Sequence, residues 1–529
     1  MAPASTLRRL ATQAAIFTAL AAGTLAPSVA AAQSDKDTLV VGFTNEATTL
    51  DPSRINGTAD RFFVFQMFEL LVQPDRDGKV IPWLAESWEV VEENGKPRID
   101  VTLRPGLKFH NGDPVTSEDF EFSFQRESNP KISRGASRHT KVERFEVIDD
   151  RRFSIHFKEP DGGYIASYLH LTALPKKYFE QVGDEGFLKH PIGTGPWKFL
   201  SRVPGQELRL ELNEDYWNKE HMPSVKNLVI RVIPEELTRV AAFKNGEVDW
   251  IDNVPLPLVE EFKAMEGVTT FSTHSGNNLY FDFPQHDEKS PFHDVRVRRA
   301  VAMGFDMDAI IKSVLYGQGR RYTGVGTSSI GYDPDVKPYA YDPEQAKKLL
   351  AEAGYPNGFD TPCYNMTTQR EPSIKEMGEA VYAYLQTIGV RCQIRNVEYG
   401  AWVELIRRSN NKLDGITTNM SSQGIPSDPG NSWAAATMHS YQPDRGFGAY
   451  SHTADEEADR LVKELQSTMD LTKRAEVIKR AGRYKYENLI GGIPTYEPIM
   501  TVAWRDNIDF KPWPFPGYWR AFQEVSFKK

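Results

Sequence analysis

The span from residue 341 to 397 constrains the fold more than any other part of this chain, because it alternates helix and strand patterns without interruption. Asp342 stands at an N-cap and Pro343 takes the first helical position. Ala346, Leu349, Leu350 and Ala353 then recur at helical spacing until Gly354 stops the element. A strand over 361–366 follows. Met377, Ala380, Val381, Tyr384, Leu385 and Ile388 mark one face of a second helix, which ends at Gly389 and leads into a strand over 390–397. Strand, crossover helix and strand make a βαβ unit, and such strands run parallel. The chain's two cysteines, Cys363 and Cys392, fall on these strands. Register decides whether they bridge, since disulfide geometry is narrow. Two late cysteines give one bridge at most and no disulfide framework.

The same α/β character begins the chain proper. Residues 38–43, TLVVGF, read as a buried strand that runs into a polar loop over 45–54, and strand ends of this kind are where α/β sheets present ligand groups. From about 73 to 160 the pattern changes to short strands and turns, as at 101–103, 145–147 and 153–157, which predicts a separate β-rich subdomain. Strands over 208–212 and 229–233 then flank a helix over 234–245.

The first 32 residues carry a basic pair, Arg8 and Arg9, a small-residue apolar run over 14–25, and Ser28-Val29-Ala30-Ala31-Ala32. This is the pattern of a secretory signal peptide, and the apolar run is too short to span a membrane. The Arg-Arg pair fits a twin-arginine signal only loosely, given Leu10-Ala11-Thr12 after it. No cysteine lies near the cleavage region, so a free periplasmic protein without a lipid anchor is expected. Without that segment roughly 500 residues remain, enough for about three folding units. Removing Arg8 and Arg9 takes the net charge from −9 to −11, and no basic run is left. That balance argues against nucleic acid and anionic membrane as partners.

Catalytic patterns are sparse. His286 and His293 with Asp287 and Asp294 form a local cluster whose spacing matches no metal motif. Gly193-Thr-Gly-Pro-Trp197 lacks the Lys-Ser/Thr of a phosphate loop and reads as a tight turn. No nucleophile elbow or zinc-protease motif occurs. A Ser-His-Asp triad assembled by the fold leaves no sequence spacing, so a secreted hydrolase stays open as an alternative.

Residues 103–126, LRPGLKFHNGDPVTSEDFEFSFQR, sit between PWLAESWEV at 82–90 and HPIGTGPWKF at 190–199. NEDYW at 213–217, FKNGEVDW at 243–250, DVRVRRAVAMGFD at 294–306 and YDPEQAKKLLAEAGYPNGFD at 341–360 follow in order. Together these blocks resemble the peptide-type, family 5 solute-binding proteins that deliver ligands to ABC importers. The resemblance implies a two-lobed α/β periplasmic binding protein, large and type II-like, with an extra β-rich subdomain in lobe I. Lobe I would comprise 33–72, 191–272 and 498–529, the inserted subdomain 73–190, and lobe II 273–497. Two chain crossings would join the lobes, as a hinge needs.

It further implies a monomeric receptor with no catalytic role and no cofactor. Its partners would be a small molecule or short peptide and the transmembrane subunits of an ABC permease. Gln369-Arg370 matches the family's carboxylate-binding pair, and an arginine fork suits a carboxylate. Tyr399 matches an aromatic at the cleft edge. Asn45, Tyr280, Gln423, Asp428 and Trp433 complete the expected ligand-binding set. The chain departs from dipeptide binders at Gln423, Gly424 and Ile425, where those relatives carry the aspartate that receives the peptide amine. Asp428 matches a loop-shaping aspartate instead. Peptides, amino-acid derivatives, opines, sugars and metal chelates therefore all stay open as ligands.

Overall fold

The βαβ unit forms at one edge of the main sheet. In this computed structural model, which describes residues 37–528 apart from 56, 78, 168, 170, 328, 368–372, 407–412, 423–427, 434–436, 441–451 and 513–521, strands Phe359–Met366 and Val390–Val397 pair in parallel. Thr361 lies opposite Cys392 and Cys363 opposite Ile394, and a disulfide joins the two cysteines across this two-residue offset, with Cα atoms 5.3 Å apart. The preceding helix, Pro343–Glu352, starts where its capping pattern predicts, since the Asp342 carboxylate accepts from the Gln345 N–H. It stops at Gly354, whose φ of +95° a side chain would resist. The signal peptide read over 1–32 lies outside the described residues. Among the described residues no helix is long and apolar enough to cross a membrane.

A 12-stranded mixed sheet organises the molecule. From the βαβ edge it runs through Ile416–Ser422 and Asn277–Asp282 to the long strand Ile493–Arg505. It continues through Trp250–Ile251, Thr38–Phe43, Asn227–Val232 and Glu207–Leu212 to Trp197–Val203. The long strand does double duty. Its first residues pair with Asn277–Asp282 and Gly319–Arg321, and its later ones with Val268–His274 and Trp250–Ile251. Two half-sheets are thereby joined, each over its own core: Leu279, Phe281, Val301, Cys363, Val381 and Ile416 on one side, Leu39, Val41, Phe62, Trp197 and Trp250 on the other. The chain passes between them inside Ile493–Arg505 and at Ser275-Gly276, where Gly276 takes φ +84°. Few covalent crossings between two packed bodies permit hinge motion.

The crossing carries ionisable groups. Arg320 donates to the buried Glu497 carboxylate at 2.6 Å, and burial holds that carboxyl above its ordinary range. Nearby His274 is buried, and desolvation, helped by the Arg320 charge, pushes its pKa down to about 4. Between that value and the unfolded one the unfolded chain binds more protons, so acid erodes stability. At pH 5 the contribution of His274 should already be lower by about 2 kcal/mol than at pH 7. His274→Asn should flatten the pH 5 to 7 difference in denaturation free energy, and an unchanged slope would remove His274 from the account.

The β-rich subdomain is a four-stranded antiparallel sheet, ordered Ala85–Glu93, Lys96–Leu103, Arg152–Phe157, Val142–Val147. Helix Ser117–Glu127 starts at a capping box, where the Asp119 carboxylate accepts from the Thr116 N–H and hydroxyl, and it lays Phe120 on Phe153 with ring centres 5.8 Å apart. The recurrent sequence blocks turn out to bind this subdomain to the large sheet. His110 reaches Gly195 O with Nε2 at 3.0 Å and accepts the Gly193 N–H at Nδ1. Glu69, fully buried, accepts from Trp83 Nε1, the Tyr216 hydroxyl and Trp217 Nε1 at 2.6–2.9 Å. The turn expected at 193–197 is a close-packing element: a Cβ on Gly193 would lie 2.2 Å from Met67 O.

Candidate ligand-binding site

Strand Asn277–Asp282 has strand neighbours on both sides, so its side chains fall at mid-sheet, and Asn278, Tyr280 and Asp282 share one face. The Tyr280 end of that face opens on a narrow slot of about 30 Å³, lined among others by Asn278, Tyr280, Tyr322, Pro429, Trp433 and Lys485. The glycine pair Gly491-Gly492 makes the close approach feasible. A Cβ at Gly491 would stand 1.9 Å from Thr437 O, and one at Gly492 2.9 Å from the Tyr280 ring. Ring faces, two prolines, a few amides and hydroxyls, and one ammonium make a mostly apolar concavity with sparse polar groups, the composition of small-molecule sites.

One wall is held by a buried ion pair. Asp428 caps helix Pro429–Ser432 by accepting the Gly430 N–H at 2.9 Å, and both its oxygens accept from Arg474, at 2.6 Å from Nε and 3.1 Å from Nη2. Both side chains are buried. Arg474 also donates to Asn431 Oδ1 and to Leu465 O. On the far side of this network lies the β-rich subdomain: the Gly162 N–H donates to Gln466 O at 2.8 Å, and Asn431 Nδ2 donates to Gly163 O at 3.3 Å. A Cβ on Gly162 would meet Leu465 O at 2.2 Å, so only glycine permits this approach.

Of the residues singled out from sequence, Tyr280 and Trp433 meet in the slot, and Asp428 stands at its wall with its carboxylate turned to Arg474. Asn45 is exposed in the loop after Thr38–Phe43. Tyr399 opens helix Tyr399–Ile406 and stacks on Trp402, away from the slot lining. Gln369, Arg370 and Gln423 lie outside the described residues. His286 and His293 are tied to backbone carbonyls, of His452 and Gln285, and among the described residues no group of three or more His, Cys, Asp or Glu is placed to hold a metal ion. Sequence reasoning missed Asn278, Tyr322 and Lys485. For Lys485 a signal existed. It continues the buried stripe Val477, Ile478, Ala481 of helix Leu471–Glu487, where a lysine is out of place.

Two half-sheets joined by two chain crossings, with an aromatic slot beside one of them, suit the capture of a solute. The chain belongs to the family described as bacterial extracellular solute-binding proteins, family 5, whose model matches residues 79–442. It is similar to the dipeptide-binding protein of Escherichia coli K12, at 27% identity over 80% of this chain and 82% of that one. It is also similar to heme-binding protein A of Haemophilus influenzae, at 28% identity over 81% of each chain. Among solved structures, HbpA2 from Haemophilus parasuis superposes with a TM-score of 0.81 at 26% identity, covering 93% of this chain and all of that one. The family and these relatives bind solutes and are not enzymes.

Proposed function

We propose that this protein is the periplasmic receptor of an ABC importer and that it captures a small amino-acid-derived or peptide-like ligand between its lobes. The observation that carries the reading is the family membership together with an aromatic slot beside one of the two half-sheets that the long strand joins. Lobe I is assigned 33–72, 191–272 and 498–529, the inserted subdomain 73–190, and lobe II 273–497. Affinity then comes from burying the ligand between two surfaces that only the closed form offers together, so binding and closure are one equilibrium. Tyr280 and Trp433 supply apolar walls, Asp428 with Arg474 fixes the wall that carries Trp433, and Gln369-Arg370 supply a carboxylate partner. Asn45, Tyr399 and Gln423 complete the proposed contact set. The absence of an aspartate at 423–425 favours ligands without a free α-amine.

Small molecules released from the denatured, purified protein and read by mass spectrometry would identify the cargo directly. A true ligand present at about 100 times its dissociation constant should add about 2.7 kcal/mol to the folded state and be recovered unchanged. Conversion at a rate that tracks protein concentration would overturn the receptor in favour of a hydrolase. Export with removal of 1–30 or 1–32 is expected, and an intact mass that retains these residues in the exported protein would contradict it.

A further inference from the structure

Lys485 lies in the last turn of helix Leu471–Glu487, is only 6% exposed, and lines the aromatic slot. Its ammonium donates to Ile490 O at 2.6 Å. An ammonium carries three donors, and the other two have no partner among the described residues. Asp282 attracts it without a hydrogen bond, because Asp282 Oδ1 accepts the Phe283 N–H and Oδ2 faces His452 Nδ1 at 3.1 Å. Burial pushes the Lys485 pKa down to about 8, so the group is still charged at neutral pH. A buried cation short of acceptors is costly to the fold, and a structural lysine would have been cheaper as a methionine or leucine on the same stripe. Its neighbours in the slot are the rings of Tyr280, Tyr322 and Trp433 and the prolines Pro429 and Pro494.

We propose that this slot is an anion-tipped subsite, in which the rings and prolines sandwich a flat apolar group of the ligand and Lys485 receives a carboxylate at its end. The proposal rests on the receptor reading and narrows the ligand class within it. Two demands are imposed together: an apolar body to displace water from the rings, and an acid at the tip to complete the ammonium.

The test uses the whole mature protein with two probes, 3-phenylpropionate and its uncharged amide, by saturation-transfer NMR and calorimetry. The acid should bind, the amide should bind at least about tenfold more weakly, and Lys485→Met should abolish that preference. Trp433→Ala should weaken the acid as well. Should Lys485→Met fail to fold, Lys485→Gln, which keeps a donor toward Ile490 O, carries the same comparison. Equal binding of acid and amide to the unaltered protein, no binding of either, or an unchanged preference in the Lys485 variant overturns the subsite. A co-purified ligand that stabilises the unaltered protein and the Lys485 variant alike would leave the receptor standing and the subsite refuted. A failure of any small molecule to co-purify or stabilise would strike the receptor reading itself.

Discussion

Arg474→Met is expected to lower the unfolding free energy by about 3–5 kcal/mol, because it leaves the Asp428 carboxylate buried without a counter-charge. The Arg474 and Asp428 side chains are 1% and 0% exposed, so water cannot take over the lost hydrogen bonds. The damage should not stay local. Arg474 also holds Asn431 and Leu465 O, and through them the docking of Gly162-Gly163 from the β-rich subdomain. Arg474→Met with Asp428→Asn should recover part of the loss, since the residual amide no longer carries a stranded charge, although the cap on Gly430 weakens. Urea denaturation of the three proteins measures this. A loss below about 1 kcal/mol in the single variant would mean that the pair is as replaceable as a surface bridge. Ligand affinity should fall in the single variant too, because Pro429 and Trp433 hang from the same short helix.

What was legible in the sequence follows the range of the forces involved. Helix Pro343–Glu352 was readable because its cap, its first proline and its terminal glycine act within a few residues of each other. The parallel pair Phe359–Met366 and Val390–Val397 was readable because one short crossover helix leaves it little choice. Asp428 as a loop-shaping residue came from the family resemblance, and it is the N-cap of helix Pro429–Ser432. Nothing local placed Arg474 opposite it, 46 residues on. The slot is harder still. Asn278, Tyr322, Trp433 and Lys485 converge only once the 12-stranded sheet has ordered its strands out of chain sequence. Several blocks that carried the resemblance serve the scaffold: His110 clasps Gly193 and Gly195, and Trp83, Tyr216 and Trp217 share Glu69. A chain can therefore declare its family through residues that lie outside the slot, while the slot itself stays hidden.

Removing the Cys363–Cys392 bridge, by Cys363→Ala with Cys392→Ala, is expected to cost about 3–4 kcal/mol, because a cross-link over a separation of 29 residues restricts the unfolded chain by roughly that much. The location adds a second reason. Val390–Val397 is the outermost strand of the main sheet, with a strand neighbour on one side and most of its side chains toward solvent. An edge strand is the part of a sheet that opens first, and its exposed arginines, Arg391 and Arg395, discourage pairing with another chain, while Arg395 also donates to the Tyr364 hydroxyl of the next strand at 2.9 Å. Arg391 does bridge to Asp360 at 2.7 Å, yet both groups are exposed and such a pair contributes at most about 1 kcal/mol. The disulfide is therefore the main covalent tie between the edge and the next strand, whose Cys363 sits in the hydrophobic core. Hydrogen exchange should record the loss as early deprotection of the amides over 390–397, ahead of the strands Asn277–Asp282 and Ile493–Arg505 at the sheet's centre. If the double variant loses less than about 1 kcal/mol, or if the edge exchanges no faster than the centre, helix Ile374–Thr387 packed over both strands holds the edge without help from the bridge.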